Sequence, residues 1–476
     1  MNTKQLSKLI PVLIIIPLYY IFGNTSIFNY VLSLSLYNIF ISCFSHISFK
    51  DTFTKMNIVT SKNKILNLSL LAINVISLVF LLLGIIVSDI TSSVLDLPDT
   101  FIIFLMMGLS ISSTPSLKII IEYLESTKRK KLSTLLNQIY TYFTQGLLLL
   151  ISILFFRIIK IDKDIAISLL YLPNIIITIL VFVILYFLNK KDCPNKVLDN
   201  NKTYYQEIKK VLTKNHSKSI INIVKNSYYY ISIIILYLIL TTRYKYKVEV
   251  IEEDITFIYF YFLTLINYII SSLKVVINSS LKELDVRSKL YKTLKTALPI
   301  AIILSVISPL TCKLIFQAPD KSLYLAMLNF LLIFITMYDT TFEYNINKTV
   351  STISLLSGLI VKIIITIPLI NAFYRMGYNL VYGDILSTAI SLTITIIINY
   401  TYLLSKLGLK KKKGYFNQLL NTLYENIILC IILIIAEFIV PIKTDNYIKS
   451  LFLMILYILI SYLFFYVKNR YFKEKE

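Results

Sequence analysis

Tryptophan is absent from this 476-residue sequence, glycine occurs 9 times and histidine 2 times. Two histidines (His46 and His216) and four scattered cysteines (Cys43, Cys193, Cys312, Cys430) show no CxxC or other ligand spacing. They argue against a histidine-based metal site and against a histidine catalytic base. The chain also lacks GxGxxG, Walker A, HExxH and GxSxG patterns, so no cofactor, no catalytic residues and no enzymatic activity are expected. Charge is scarce as well, at 16% of residues, whereas 57% are hydrophobic and the mean hydropathy is +0.73. That balance belongs to polytopic membrane proteins. The abundant Ile, Leu, Asn, Lys and Tyr read as codon bias of an AT-rich genome, so a high lysine or tyrosine count is not itself a functional signal.

The net charge of +22 would suggest a nucleic-acid partner in a soluble protein. Here the cations lie between apolar stretches, which makes them topological markers and excludes a nucleic-acid role. Apolar stretches of spanning length fall at 8–23, 27–46, 65–88, 101–124, 132–156, 165–188 and 219–242. Seven more follow at 255–280, 293–316, 322–343, 349–371, 380–405, 417–440 and 447–467. Alternate loops are rich in Lys and Arg by roughly three to one. The expectation is an all-α protein of about fourteen transmembrane helices with both termini in the cytoplasm. The first apolar run after Lys8 reads as a retained anchor and not as a cleaved signal.

The longest hydrophilic segment, 189–218, carries eight lysines and follows the sixth span. It divides the chain into a first six-helix lobe (1–188), a basic cytoplasmic linker (189–218), a second six-helix lobe (219–406) and two further spans with a basic tail (407–476). The linker also suits an amphipathic surface helix resting on anionic lipid. A weak internal repeat fits the two lobes. Glu125, Lys130, Ser133 and Thr134 fall on Glu343, Lys348, Ser351 and Thr352 at one common offset, as parallel repeats would.

Several polar residues sit inside the apolar stretches. Thr264, Asn267, Ser271, Lys274 and Asn278 recur at helical spacing on one face. A lysine near the bilayer centre costs about 2.5–3.5 kcal/mol on insertion scales, so such a stripe should face protein or a watery cavity. Lys362 lies deep in its span, with Asn347, Ser351, Ser354 and Gly358 preceding it on the same face. In the seventh span Asn222, Lys225, Asn226 and Tyr229 share a face. For Lys362 the alternative reading is a structural ion pair or a hydrogen bond to a neighbouring helix; for Lys274 it is a stem snorkelling to the headgroups. Lys118 and Glu122 have the spacing of a local pair. The milder Ser/Thr/Asn stripes (Asn38, Ser42, Ser45; Asn137, Tyr140, Thr141, Thr144) read as helix–helix glue. Asp339, Glu343 and Glu437 read as solvated or paired.

The segment from Ile119 to Gln138, a helix ending in Lys128-Arg-Lys-Lys and followed by a Gln-containing helix, resembles one known junction. It is that between the fourth and fifth spans of the polysaccharide-transporter and lipid II flippase branch of the MATE-like (MOP) exporter superfamily. Ser357 to Ile370 is similar to the family's eleventh span, with Lys362 at a lysine position of that family, and Gly23 to Phe40 resembles its second span. The sequence differs from lipid II flippases in its few glycines and in a first span without arginine.

The resemblance implies flipping of an undecaprenyl-diphosphate-linked saccharide between the leaflets of a bacterial cytoplasmic membrane, by alternating access of two lobes. The cargo is a polysaccharide repeat unit or a peptidoglycan precursor. On that reading Lys225, Lys274 and Lys362 would hold the diphosphate and Asn226, Asn267 and Asn278 the sugar hydroxyls, in a protein expected to be monomeric. Three rivals remain at this point, one of them a non-transporting membrane scaffold, against which loss of activity in Lys225, Lys274 and Lys362 variants would argue. An ion-coupled small-molecule exporter of the same superfamily calls for cavity acids. A polytopic glycan polymerase or ligase calls for a long outer loop, and 242–255 and 89–99 are short.

Overall fold

A computed structural model describes residues 3–22, 27–56, 59–97, 100–190, 201–213, 216–279, 286–344, 348–407, 415–442 and 446–471. Among these the chain is helical, with no strand. In order come α1 (Thr3–Phe22), α2 (Phe28–Cys43), α3 (Lys50–Lys55), α4 (Val59–Leu95), α5 (Thr100–Ser110), α6 (Ser113–Ser126) and α7 (Lys130–Ser152). They are followed by α8 (Lys163–Ser168), α9 (Leu172–Lys190), α10 (Asn201–Thr213), α11 (His216–Leu238) and α12 (Val248–Thr256). The remainder are α13 (Leu263–Ser279), α14 (Val286–Val306), α15 (Ser308–Thr311), α16 (Ser322–Tyr344), α17 (Lys348–Arg375), α18 (Val381–Leu407), α19 (Tyr415–Ile439) and α20 (Tyr447–Tyr471). Short π-helical segments at Ile153–Ile158, Ile239–Arg243, Phe257–Phe262 and Cys312–Phe316 extend α7, α11, α12 and α15.

Helix is what a lipid environment demands, because every backbone N–H and C=O must find its partner within the segment. Ten helices are long and apolar enough to cross a membrane. A further pair, Ser288–Val306 and Ser308–Phe316, forms one span bent by 58°, and three apolar helices are shorter: Val12–Phe22, Phe28–Cys43 and Asp164–Leu180. Together they coincide one for one with the apolar stretches of the sequence. The protein is an all-α polytopic membrane protein. The bend in the ninth span has a local cause: Pro309 occupies the first turn of α15, where its missing N–H breaks the ladder carried down from α14.

Contacts divide the chain into two compact units, Met1–Thr256 and Phe257–Glu476. In the first, α2 packs on α11 and α5, α4 on α5 and α6, and α7 on α1, α6 and α9. Its core gathers Phe49, Phe53, Phe104 and Tyr123. The Phe53 and Tyr123 rings meet edge-on at 5.8 Å. Both Lys118 and Glu122 on α6 reach the turn before α3. Glu122 accepts from Ser48 Oγ (2.8 Å) and the Phe49 backbone N–H (2.7 Å), and Lys118 donates to the Ile47 carbonyl. The local pair read from the sequence is thus drawn into fixing a reversal of the chain.

In the second unit α17 packs on α18, α14 on α16, and α16 on α18 and α13. The last two helices seal α14 and α15 through Ile302, Ile307, Leu310, Leu429, Leu433, Leu453 and Tyr457. Their other faces are bare: Phe438 and Ile448 are 90% and 75% exposed. Apolar surface of that extent belongs against lipid tails.

The segment read as a linker contributes a helix of its own. α10 lies on α4, with Tyr204 and Ile208 buried and Tyr205, Lys209 and Lys210 exposed. Tyr204 OH donates to Ser61 Oγ at 3.2 Å, and Lys64 Nζ stands 5.0 Å from the Tyr204 ring centre. Residues 191–200 of that segment lie outside the described ones.

Candidate functional site

Three groups of polar side chains lie within membrane-spanning helices, and five of the six residues singled out from the sequence distribute among them. The most enclosed is on α17 and α18. These helices approach closely because Gly383 faces the Ile370 backbone, where a Cβ would stand 2.7 Å from Ile370 N. Hydroxyls and amides line the rest of the seam, as small and polar residues do where membrane helices associate. Ser354 Oγ donates to Asn399 Oδ1 (2.9 Å), and Thr366 Oγ1 donates to Ser387 Oγ (2.9 Å).

Between those bonds sits Lys362. Its Nζ lies 3.4 Å from Asp384 Oδ1, and both side chains are 2% exposed. The ammonium also donates to Thr388 Oγ1 at 2.6 Å. Asp384 Oδ2 accepts from Tyr259 OH at 2.6 Å, so the Phe257–Phe262 π-segment joins the cluster. Isolated in an apolar interior, either charge would be expelled; together, and with two hydroxyls, they neutralise each other. Lys362 is therefore a component of an enclosed ion pair in this conformation. Asp384 was not singled out from the sequence. The signal available was an acid in the first turn of an apolar span with Thr388 one helical turn on.

The second group is the stripe on α13. Ile266, Ile270 and Leu273 form its buried edge. Thr264 and Ser271 turn their hydroxyls back to the carbonyls of Phe260 (2.7 Å) and Tyr268 (2.8 Å). Asn267 is exposed. Lys274 forms an ion pair with Asp339 of α16, and the side chains are 37% and 12% exposed respectively. An exposed amide and a half-open ion pair are costly against hydrocarbon, so this face suits water or a polar ligand. Asn278 lies in α13, but its side chain falls outside the described ones, as does Asn347 ahead of α17.

The third group joins α2 to α11. Asn226 Nδ2 donates to the Asn38 carbonyl (3.1 Å) and Ser42 Oγ (2.6 Å), and Asn222 Nδ2 donates to Ser45 Oγ (3.0 Å). Ser219 Oγ donates to the Cys43 carbonyl (3.0 Å) and stands 2.6 Å from His46 Nδ1. His46 Nε2 is 3.0 Å from the Leu212 carbonyl, which only accepts, so Nε2 carries a proton there. Toward the other end the seam turns apolar: Ile233 and Leu236 are buried, and Phe28 stacks on Tyr237 at 5.0 Å. Lys225 is half-buried on the same helix. Asn226 is thus engaged as glue between helices, together with the Asn38, Ser42 and Ser45 stripe.

The structure brings Asn267 and Lys274 onto one open face, places Lys362 in a closed pair, and puts Lys225 and Asn226 on a helix packed against α2. Among the described residues no three or more His, Cys, Asp and Glu side chains cluster as a metal site would need.

Among solved structures the chain is similar to one titled lipid II flippase MurJ, inward closed conformation. The TM-score is 0.66 at 14% sequence identity, covering 98% of this chain and 97% of that one. At that identity the likeness shows a shared fold. No family model matches the chain, and no curated protein sequence does.

Proposed function

We propose that this protein is a flippase that carries an undecaprenyl-diphosphate-linked saccharide from the inner to the outer leaflet of a bacterial cytoplasmic membrane. The observation that carries this reading is the end-to-end likeness in fold to a lipid II flippase, over 98% of the chain. The polar face of α13 supports it, since an open Asn–Lys strip in an apolar span suits the path of a polar cargo.

The cycle proposed is alternating access by two six-helix lobes, 1–188 and 219–406, with both termini cytoplasmic and no chemical step. Lys274 meets the diphosphate, and Asn267 and Asn278 meet sugar hydroxyls, two turns before it and one turn after it respectively. Lys225 adds a second cation, and Asn226 reaches the sugar when the α2–α11 seam parts. Lys362 acts by holding α17, α18 and the Tyr259 segment together, and it meets phosphate only in a state that opens that pair. The exposed lysines of α10 rest on anionic lipid headgroups. The protein works as a monomer, and the cargo is a polysaccharide repeat unit or a peptidoglycan precursor.

Depletion of the protein in its host, followed by leaflet-resolved measurement of lipid-linked intermediates, tests the proposal and names the cargo. Accumulation of one saccharide lipid on the cytoplasmic side is the expected result. Level pools together with retention of a cationic dye would overturn it in favour of a small-molecule exporter.

A further inference from the structure

We infer that Asp339 is a built-in stand-in for the cargo's phosphate, occupying Lys274 between transport events and exchanging with the incoming group. The inference rests on the flippase reading and adds to it the way in which the binding site is kept and vacated.

The two partners of this pair are unequally placed. Lys274 is 37% exposed on the open face of α13, whereas the Asp339 carboxylate is 12% exposed and set back on α16. A molecule arriving along the open face therefore meets the ammonium first. The lysine stem has four rotatable bonds and a charge that needs no fixed geometry, so it turns from one anion to another without moving its helix. Asp339 has no such freedom. Its carboxylate stands on a short two-bond stem, and the next residue on α16 is tied to α14, where Thr340 Oγ1 meets Thr293 Oγ1 at 3.2 Å. The carboxylate is a short-stemmed, recessed anion beside a long-stemmed, more exposed cation.

The contrast with Lys362 sharpens the assignment. Lys362 and Asp384 are each 2% exposed, and hydroxyls of Thr388 and Tyr259 fill out their shell. That pair is closed on both sides and has no open partner to exchange. Lys274–Asp339, by contrast, combines an exposed cation, a recessed anion and an exposed amide, Asn267, two helical turns (~10 Å) along the same face.

Two consequences follow for transport. In the empty protein the ammonium is never left uncompensated in a low-dielectric span. In the loaded protein Asp339 competes with the phosphate for one cation, which weakens binding and speeds release. An exporter needs that property more than it needs tight binding, because a site that holds its cargo too well does not turn over.

The test uses full-length protein in lipid nanodiscs and geranylgeranyl diphosphate as the probe, with affinity and dissociation rate measured for each variant. Lys274→Gln is expected to lose most of the binding. Asp339→Asn is expected to bind about tenfold more tightly than the parent, chiefly through slower dissociation, because the competitor is gone. The double variant should behave as Lys274→Gln does. Asp339→Ser is the second neutral variant in case Asn at this position does not fold.

Weaker binding in the neutral Asp339 variants, or unchanged binding, overturns the exchange, since the carboxylate would then merely hold the lysine in place or stand off the path. Failure of both neutral variants to fold also overturns it, because the pair would be structural. Parent protein that takes up no probe overturns it too, and the leaflet assay above then decides the flippase reading separately.

Discussion

Replacing Lys362 by methionine removes one half of an ion pair whose two side chains are each 2% exposed. The methionine fills most of the lysine stem's volume, so the loss is chiefly electrostatic. Asp384 keeps its bond from Tyr259 but faces an apolar side chain at Oδ1, and Thr388 loses the ammonium that donated to it at 2.6 Å. Stranding one member of a buried pair costs about 3–5 kcal/mol. Asp384→Asn strands the ammonium instead and should fall in the same range of about 3–5 kcal/mol. The double variant Lys362→Met/Asp384→Asn removes both charges and leaves an amide oxygen for Tyr259. It should lie within about 2 kcal/mol of the parent, because a neutral replacement of a buried pair is often nearly neutral in stability. The measurement is equilibrium unfolding in mixed micelles titrated with sodium dodecyl sulfate, read by circular dichroism for the parent, both single variants and the double. A double variant as unstable as the two single losses added together refutes the reasoning, because the charges would then not be compensating each other.

Three further outcomes are expected. Gly383→Ala forces apart the α17 and α18 backbones, since the new Cβ meets Ile370 N at 2.7 Å; the same unfolding titration should show a loss of about 1–3 kcal/mol. Asn226→Ala removes two bonds to α2, at about 0.6 kcal/mol each in a membrane interior, so a loss near 1 kcal/mol is expected and a loss above about 3 would show that more than glue was removed. Glu122→Ala leaves Ser48 and the Phe49 N–H without their acceptor, which should cost about 1–3 kcal/mol and show as faster backbone amide exchange at Phe49.

The helices were legible because the length of an apolar run and the charges between runs report directly on a bilayer. Every apolar stretch of the sequence became a helix, including the short ones at Val12–Phe22 and Asp164–Leu180. What periodicity conveys is the face of one helix, never the helix opposite. The α13 stripe was readable for that reason, while its partner Asp339 on α16 was readable only as an acid that was solvated or paired. Lys362 stood out as a cation in an apolar run, but Asp384 did not, because an acid in the first turn of a span resembles an ordinary helix start. The bond from Tyr259 comes from a third element, and no spacing rule links them. Asn226 and the Asn38–Ser42–Ser45 stripe were each visible as polar faces, and only packing shows that they are two sides of one seam.

The helix within the segment that the sequence presents as a linker, α10, is tied down at both ends. Tyr204 fastens the start of α10 to Ser61 at the head of α4, and the Leu212 carbonyl fastens its end to His46 beyond the last turn of α2. Thr213 closes α10 and His216 opens α11, so the chain between them spans no more than about 11 Å. α11 is therefore on a short tether anchored at α2, the same helix it meets through Asn222 and Asn226. Outward motion of that end of α11 would therefore load the His46 bond and the seat of α10 on α4. α10 thus couples the start of α11 to both α2 and α4, as a hinge plate couples a door to its frame.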